Sequence, residues 1–130
     1  MEFIPEAIQS AGAMYSTAND MLKYLSANME LIHSEINDAM QQTHLIRHSF
    51  GAPYEDKSLK QDYIGLGWTV TTDFGKEVIW HTGSIDSYSS IIGFTPEKQI
   101  GLVILCSSDI RDLSPQEMID LVVPFLFYYK

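Results

Sequence analysis

The stretch that decides the fold is Tyr88 to Cys106, YSSIIGFTPEKQIGLVILC. It holds two runs rich in β-branched, aromatic and other apolar residues, Tyr88 to Phe94 and Ile100 to Cys106, and such runs favour strands. The residues Thr95-Pro96-Glu97-Lys98 fit a type I turn with proline at its second position. Because the connection is short, we expect an antiparallel pair. The second run is apolar enough to predict a strand buried on both faces.

Two further strands are predicted upstream of this pair. The first shows the alternation typical of a half-buried strand in its apolar residues, Ile64, Leu66, Trp68 and Val70. A turn over Asp73 to Lys76 separates it from a short strand, Glu77 to His81, and a loop over Gly83 to Ser87 leads into the third strand. Short connections throughout predict an antiparallel meander of about four strands.

Two helices are expected before the sheet, within about residues 17–46. Thr17 with Asp20 three residues later is a capping box, and apolar residues then recur at helical spacing, which predicts a helix from about Thr17 to Met29. Ser34 is the expected N-cap of a second helix. Its apolar stripe is thinner and consists of Ile36, Ala39, Met40 and Thr43.

A loop and a last helix complete the predicted order. Residues 49–62 are polar with Gly and Pro, so we expect them to form a long loop after the two helices. The sheet is expected to follow over about residues 63–106. Ser114 to Glu117 is a second capping box with Pro115 at the first helical position, which predicts a helix over about residues 115–128. Pro124 should kink or end it. Helices packed on an antiparallel sheet make the fold α+β, in one domain over residues 1–130.

Composition restricts the class of partner. The chain has 130 residues, of which 45% are hydrophobic and 19% charged, as in ordinary globular domains. Eight basic and seventeen acidic residues give a net charge of −9, which argues against binding to nucleic acid or to an anionic membrane surface. The longest apolar run, Leu121 to Tyr129, is too short for a bilayer, and the first residues do not resemble a signal peptide. The single cysteine, Cys106, forms no internal disulfide and leaves the compartment open.

Several segments together resemble one family. They are Ala11 to Met21 (AGAMYSTANDM), Gly65 to Trp68 (GLGW), His81-Thr82-Gly83, Ile91 to Pro96 (IIGFTP) and Gly101 to Leu105 (GLVIL). Their order and spacing resemble the C-terminal part of the serine β-lactamase and penicillin-binding-protein family, in its class C-like branch of β-lactamases, esterases and D-peptidases. The resemblance runs from about Ala11 to the end of the chain.

The resemblance implies roles for one short stretch. His81-Thr82-Gly83 occupies the place of the family's third motif, so His81 and Thr82 are expected to face the substrate or the catalytic hydroxyls. Gly83 is expected to let the substrate approach the backbone. Ser84 would give a backbone N–H to the oxyanion hole, and Ile85 and Asp86 would form a wall of the cleft. The resemblance implies a small-molecule or peptide substrate for the complete protein, and no cofactor.

Two family motifs are expected to be missing. None of the serines from Ser10 to Ser114 has Lys three residues on, so the nucleophile motif Ser-x-x-Lys is absent. No tyrosine has Asn two residues on, and we expect the second motif, Tyr-x-Asn or Ser-x-Asn, to be absent too. We therefore expect a C-terminal fragment or shortened relative of a serine hydrolase, inactive alone. The alternative is a non-catalytic binding or self-associating module derived from that scaffold. In the family, strands from the N-terminal part complete the sheet, so we expect a missing N-terminal segment or a homo-oligomer.

Other candidate sites are weaker. His44 and His48 stand four residues apart, a spacing that metal ligands use, but no acidic or cysteine partner stands nearby. Two solvated histidines near a helix end are the preferred interpretation, with no metal. Cys106 ends an apolar strand and is expected to be a small buried hydrophobe.

Overall fold

The computed structural model describes residues 9–49, 61–73, 76–85, 88–107 and 115–128. In chain order its elements are α1 (Gln9–Gly12), α2 (Ala18–Asn28), α3 (Asn37–His44), β1 (His48–Ser49), β2 (Gln61–Ile64), β3 (Thr69–Asp73), β4 (Lys76–Ile85), β5 (Tyr88–Thr95), β6 (Ile100–Cys106) and α4 (Pro115–Tyr128). The fold is α+β, as the sequence predicted. Most of the predicted loop, residues 50–60, lies outside the described residues, as do Ser114 and the middle of the turn over Asp73 to Lys76.

The sheet has six strands in the order β1-β2-β3-β4-β5-β6, and every neighbouring pair is antiparallel. The predicted meander is confirmed, with six strands instead of about four. The segment predicted as one strand through Ile64 and Val70 is two strands. The chain turns between them at Gly67, whose φ of 73° is a conformation that glycine adopts without a steric penalty.

Each face of the sheet carries its own core. We call the first the α2 face, because α2 packs on it, and its buried residues are Leu25, Tyr63, Trp68, Val70, Ile79 and Phe94. We call the second the α4 face, and its buried residues are Val78, Trp80, Ile91, Val122, Val123, Leu126 and Phe127. Gly93 lets α4 approach closely, since a Cβ there would lie 3.1 Å from Leu126 Cδ1 and 3.2 Å from Trp80 Cβ.

The first predicted helix is confirmed and the second begins later than predicted. The backbone N–H of Asp20 donates to Thr17 Oγ1 at 3.2 Å, so Thr17 caps α2. Ser34 does not cap α3, whose N-cap is Ile36. Instead, the backbone N–H of Ser34 donates to the side-chain oxygen of Asn37, the first residue of α3.

One expectation near the end of the chain was wrong. The last helix runs from Pro115 to Tyr128, the predicted bounds, so Pro124 does not end it, and a kink at Pro124 stays a prediction. β6 is not buried on both faces along its length, since Ile104 is 42% and Leu105 45% exposed. The reason is position: β6 is an edge strand of the sheet, and no strand among the described residues lies beyond it.

Candidate functional site

The second half of β4 forms an edge that the neighbouring strand β3 leaves open, although β4 is an inner strand of the sheet. β3 pairs with β4 only from Lys76 to Trp80, whereas β5 pairs with β4 as far as Ile85. Within the described part of the chain, His81 to Ile85 therefore have a strand on one side only. Alternate residues of such a segment direct N–H and C=O groups outward, where an extended ligand can pair with them.

The predicted loop from Gly83 begins later than expected. Gly83, Ser84 and Ile85 belong to β4 and pair with Ser90, Ser89 and Tyr88 of β5. Pairing with the next strand extends β4 across residues that look like a turn in the sequence. Asp86 and Ser87 lie outside the described residues, so the predicted role of Asp86 stays a prediction.

Strand alternation sorts the predicted site residues onto two faces. His81 pairs with Ile92 on the α2 face, and Gly83 and Ile85 share that face. Thr82 pairs with Ile91 on the α4 face, which Ser84 shares. The structure thus brings the five described residues to one end of one strand but separates His81 from Thr82. An extended ligand along the open edge would lie between the two sets.

The side chains at this edge are accessible. His81, Ser84 and Ile85 are exposed, and Thr82 is half-buried. Within the described part of the chain, no hydrogen bond engages the His81 imidazole.

Sequence reasoning missed Ser90, which lies opposite Gly83. Its hydroxyl is 3.5 Å from the Gly83 carbonyl oxygen, at the limit of a hydrogen bond. A Cβ at position 83 would lie 3.0 Å from Ser90 Oγ, so any larger residue would press on this hydroxyl. The strand register is what brings Ser90 here, and no local sequence signal specifies that register.

A hydrogen-bonded chain anchors β4 just before the site. Trp80 Nε1 donates to Thr71 Oγ1 at 2.8 Å, and Thr71 Oγ1 donates to Asp62 Oδ1 at 2.5 Å. Thr71 is 1% and Trp80 7% exposed, so the chain ties β4 to β3 and β2 beneath the α4 face. A buried polar group that is fully partnered holds its neighbours in place.

His44 is not the solvated side chain that the sequence suggested. Its Nε2 is 2.8 Å from Oδ1 of Asn28, which is 2% exposed. The ring makes edge contacts with Trp68 and Phe94, at centroid distances of 5.8 and 5.1 Å. Burial lowers the pKa of His44, because a charged imidazolium is costly away from water.

His48, the other half of the suspected metal pair, lies exposed in β1. No group of three or more His, Cys, Asp or Glu residues that could hold a metal ion occurs in the described ranges. Within the same ranges, no helix combines the length and hydrophobicity needed to cross a bilayer. Cys106 is half-buried at the end of β6, and as the single cysteine it forms no disulfide within the chain.

Comparison with known families shows to which family the chain belongs. The family model described as Beta-lactamase matches residues 2–123 of this chain. The chain belongs to the Beta-lactamase family. The sequence resemblance is confirmed, and with it the assignment to the β-lactamase and penicillin-binding-protein fold. No curated protein matches the chain.

Two solved structures share the fold of this Beta-lactamase-family chain. One is described as the octameric penicillin-binding protein homologue from Pyrococcus abyssi, with a TM-score of 0.62, 24% identity and 85% of this chain covered. The other is described as a class C β-lactamase, with a TM-score of 0.65, 18% identity and 88% coverage. The matched regions make up 24% and 36% of those chains, so this chain spans about a quarter and about a third of their lengths.

The expectation that the second motif is absent was wrong for its Ser-x-Asn form, because Ser26-Ala27-Asn28 has that spacing. Both polar side chains lie within α2 and bond to its own carbonyls, Ser26 Oγ to Leu22 O and Asn28 Nδ2 to Tyr24 O, each at 2.8 Å. Asn28 is buried and also engages His44. This triplet is therefore a structural part of the α2–α3 contact and is not directed at the open edge of β4.

Proposed function

We propose that this Beta-lactamase-family chain supplies one wall of a serine-hydrolase site without the nucleophile. The observation that carries the proposal is the open edge of β4, where the exposed His81 and Ser84 lie on a segment that β3 does not pair and that, among the described residues, has a strand on one side only. An extended acyl chain or peptide would pair with this edge as an added strand. The family's substrates, β-lactams, D-peptides and esters, all present a carbonyl that such an edge can orient.

The six predicted residues have distinct roles in this proposal. The His81 imidazole contacts the substrate from the α2 face, and the Thr82 hydroxyl from the α4 face. Gly83 keeps the edge free of side-chain bulk, and the backbone N–H of Ser84 stabilises the oxyanion that develops on the attacked carbonyl. Ile85 offers an apolar contact, and Asp86 is proposed to complete the wall.

The complete protein would hydrolyse its substrate in two steps. A serine hydroxyl outside these 130 residues attacks the carbonyl and expels the leaving group, and water then cleaves the acyl-enzyme. Loss of the nucleophile in a serine hydrolase removes on the order of 10⁶ in turnover, whereas one oxyanion donor contributes roughly 10² to 10³. We therefore propose that the chain binds substrate-like ligands but does not turn them over alone.

Ligand binding at the open edge tests this proposal. We would titrate an N-acyl-D-alanyl-D-alanine peptide into ¹⁵N-labelled protein and follow the amide resonances. We expect shifts in residues 81–85 and 88–90, because the ligand pairs with one side of β4. His81→Ala should abolish them, and His33→Ala, an equally exposed histidine outside the edge, should leave them unchanged. Shifts elsewhere only, or shifts unaffected by His81→Ala, would contradict the proposed site.

The second candidate is a non-catalytic module that associates with itself or with a partner. The absence of Ser-x-x-Lys and Tyr-x-Asn favours it. The octameric state in the description of one structural neighbour is consistent with self-association of this chain. A thermal-shift screen with peptidoglycan peptides and acyl-D-amino acids addresses the ligand-binding form of this candidate. The absence of any shift would count heavily against it.

A further inference from the structure

Helix α4 is apolar on two sides. Its inner residues, Val122, Val123, Leu126 and Phe127, are buried against the sheet. On its outer side, Leu121 is 67%, Phe125 45% and Tyr128 62% exposed. These three residues stand four and three positions apart, so they form one stripe, which we call the outer stripe. A helix on the surface of a monomer normally presents a polar outer side.

The two ends of the outer stripe carry opposite charges. Glu117, one turn before Leu121, continues the stripe at its start, and Asp120 is exposed beside it. At the other end, Lys76 Nζ lies 5.8 Å from the centre of the Tyr128 ring. Lys98 Nζ donates to the Phe127 carbonyl at 2.7 Å. The Asp73 carboxylate also lies at this end, where it accepts a hydrogen bond from the Tyr128 hydroxyl at 2.8 Å. The contacts of the described residues at this end therefore involve two ammonium groups and one carboxylate.

We propose that the outer stripe is an interface between two copies of this chain, with the two α4 helices antiparallel about a twofold axis. Antiparallel pairing places Leu121 of each copy against Tyr128 of the other, with Phe125 near the axis. Glu117 lies about 6 Å before Leu121 along the helix axis at 1.5 Å per residue, so it extends past the second copy's Tyr128 towards its Lys76. The acidic start of each α4 then faces the lysines beside the end of the other α4. This contact occurs twice, as an isologous interface requires.

The self-complementary charge pattern favours a second copy over an unrelated partner. The acidic residues lie at the start of α4, and the two lysines, Lys76 of β4 and Lys98 after β5, lie beside its end. One surface therefore provides both halves of the contact. Acidic groups at a helix start and basic groups near its end also interact favourably with the helix dipole. The dipole does not, however, require three exposed apolar side chains between them. Three side chains cover less than the ~1,200 Å² of a stable interface, so we expect a weak, concentration-dependent dimer.

Sedimentation equilibrium of the 130-residue chain over a range of concentrations tests the interface. We expect a reversible dimer, and we expect Leu121→Gln to raise its dissociation constant by about tenfold or more. Leu31→Gln is the matched control, because Leu31 is 47% exposed between α2 and α3 and should not affect association. A monomer at all concentrations would overturn the proposal. So would a dimer that Leu121→Gln does not weaken.

A charge exchange tests the antiparallel arrangement. Glu117→Lys and Lys76→Glu should each weaken the homodimer about tenfold, and the double variant should restore it. A mixture of the two single variants should form a heterodimer tighter than either homodimer, because both ion pairs are then reconstituted. Circular dichroism confirms that each variant is folded. Failure of the double variant and of the mixture to restore association would overturn the antiparallel interface.

Discussion

The imidazole of His44 lies against aromatic rings, with one nitrogen bonded to a buried amide. The contact partners come from three parts of the chain: Asn28 in α2, Trp68 before β3 and Phe94 in β5. Asn28 also accepts from Gln41 Nε2 through its backbone carbonyl at 2.8 Å, so it joins α2 to α3 twice. The helix pair is therefore anchored to the sheet through a polar contact that the sequence pattern did not suggest.

His44 makes stability depend on pH. Burial lowers the pKa of His44 below its ordinary value of 6.5, so the unfolded chain binds the proton more readily than the folded chain. The stabilising effect of the neutral ring is complete above the ordinary pKa and is lost as the pH falls through the folded-state pKa. We expect urea unfolding to show a larger loss of stability between pH 7.5 and 5 in the wild type than in His44→Gln.

His33→Gln is the control for this comparison, since His33 is exposed. It should retain the full pH dependence of the wild type. The account of His44 is wrong if His44→Gln and the wild type lose the same free energy of unfolding over this pH range.

At the scale of elements, local signals predicted helices better than strands. The cap at Thr17 and the start of α4 at Pro115 each depend on a few neighbouring residues, and both were predicted correctly. The alternation through Leu66 and Trp68 did not reveal that Gly67 turns the chain there, because a positive φ is a property of the whole turn. The start of α3 was also missed, since Ser34 Oγ accepts from the Ile36 N–H, which precedes the helix, and no side chain caps the first turn of α3.

The site illustrates the same limit. His81-Thr82-Gly83 was found because the residue types and their order are local. The open edge beside it exists because β3 pairs with β4 only as far as Trp80, whereas β5 pairs with β4 as far as Ile85. These limits depend on the register between strands and not on a local motif. Ser90 opposite Gly83 and the chain from Trp80 to Asp62 follow from that register and could not be predicted.

Pro124 makes α4 less stable than its sequence otherwise allows. It lacks the N–H that would bond to the carbonyl four residues earlier, and its ring crowds that carbonyl. Pro124→Ala should therefore increase the free energy of unfolding by about 1–3 kcal/mol, less what the rigid proline contributes by restricting the unfolded chain. Thermal unfolding at low protein concentration measures this without interference from association. A lower melting temperature would show that packing of the half-buried ring outweighs the helix penalty.

At the scale of the whole molecule, the family is one of serine hydrolases, but this sequence lacks the Ser-x-x-Lys and Tyr-x-Asn motifs. The fold is that of the Beta-lactamase family, and the chain spans about a quarter and about a third of the two structures it resembles. The sheet ends at β6 with Ile104 and Leu105 exposed, and α4 presents the outer stripe. Apolar surface of this kind favours association in water. The proposed contact between two copies would cover the outer stripe.

The most direct test of the proposed function is whether the chain alone acquires a covalent acyl or phosphonyl group. We would incubate the folded protein with a fluorophosphonate, and separately with a penicillin, and measure its intact mass, with an active class C β-lactamase treated in parallel. The account predicts an unchanged mass for this chain and an adduct on the control enzyme. An adduct on any serine of this chain would contradict the account, because it would reveal an activated nucleophile without the Ser-x-x-Lys motif.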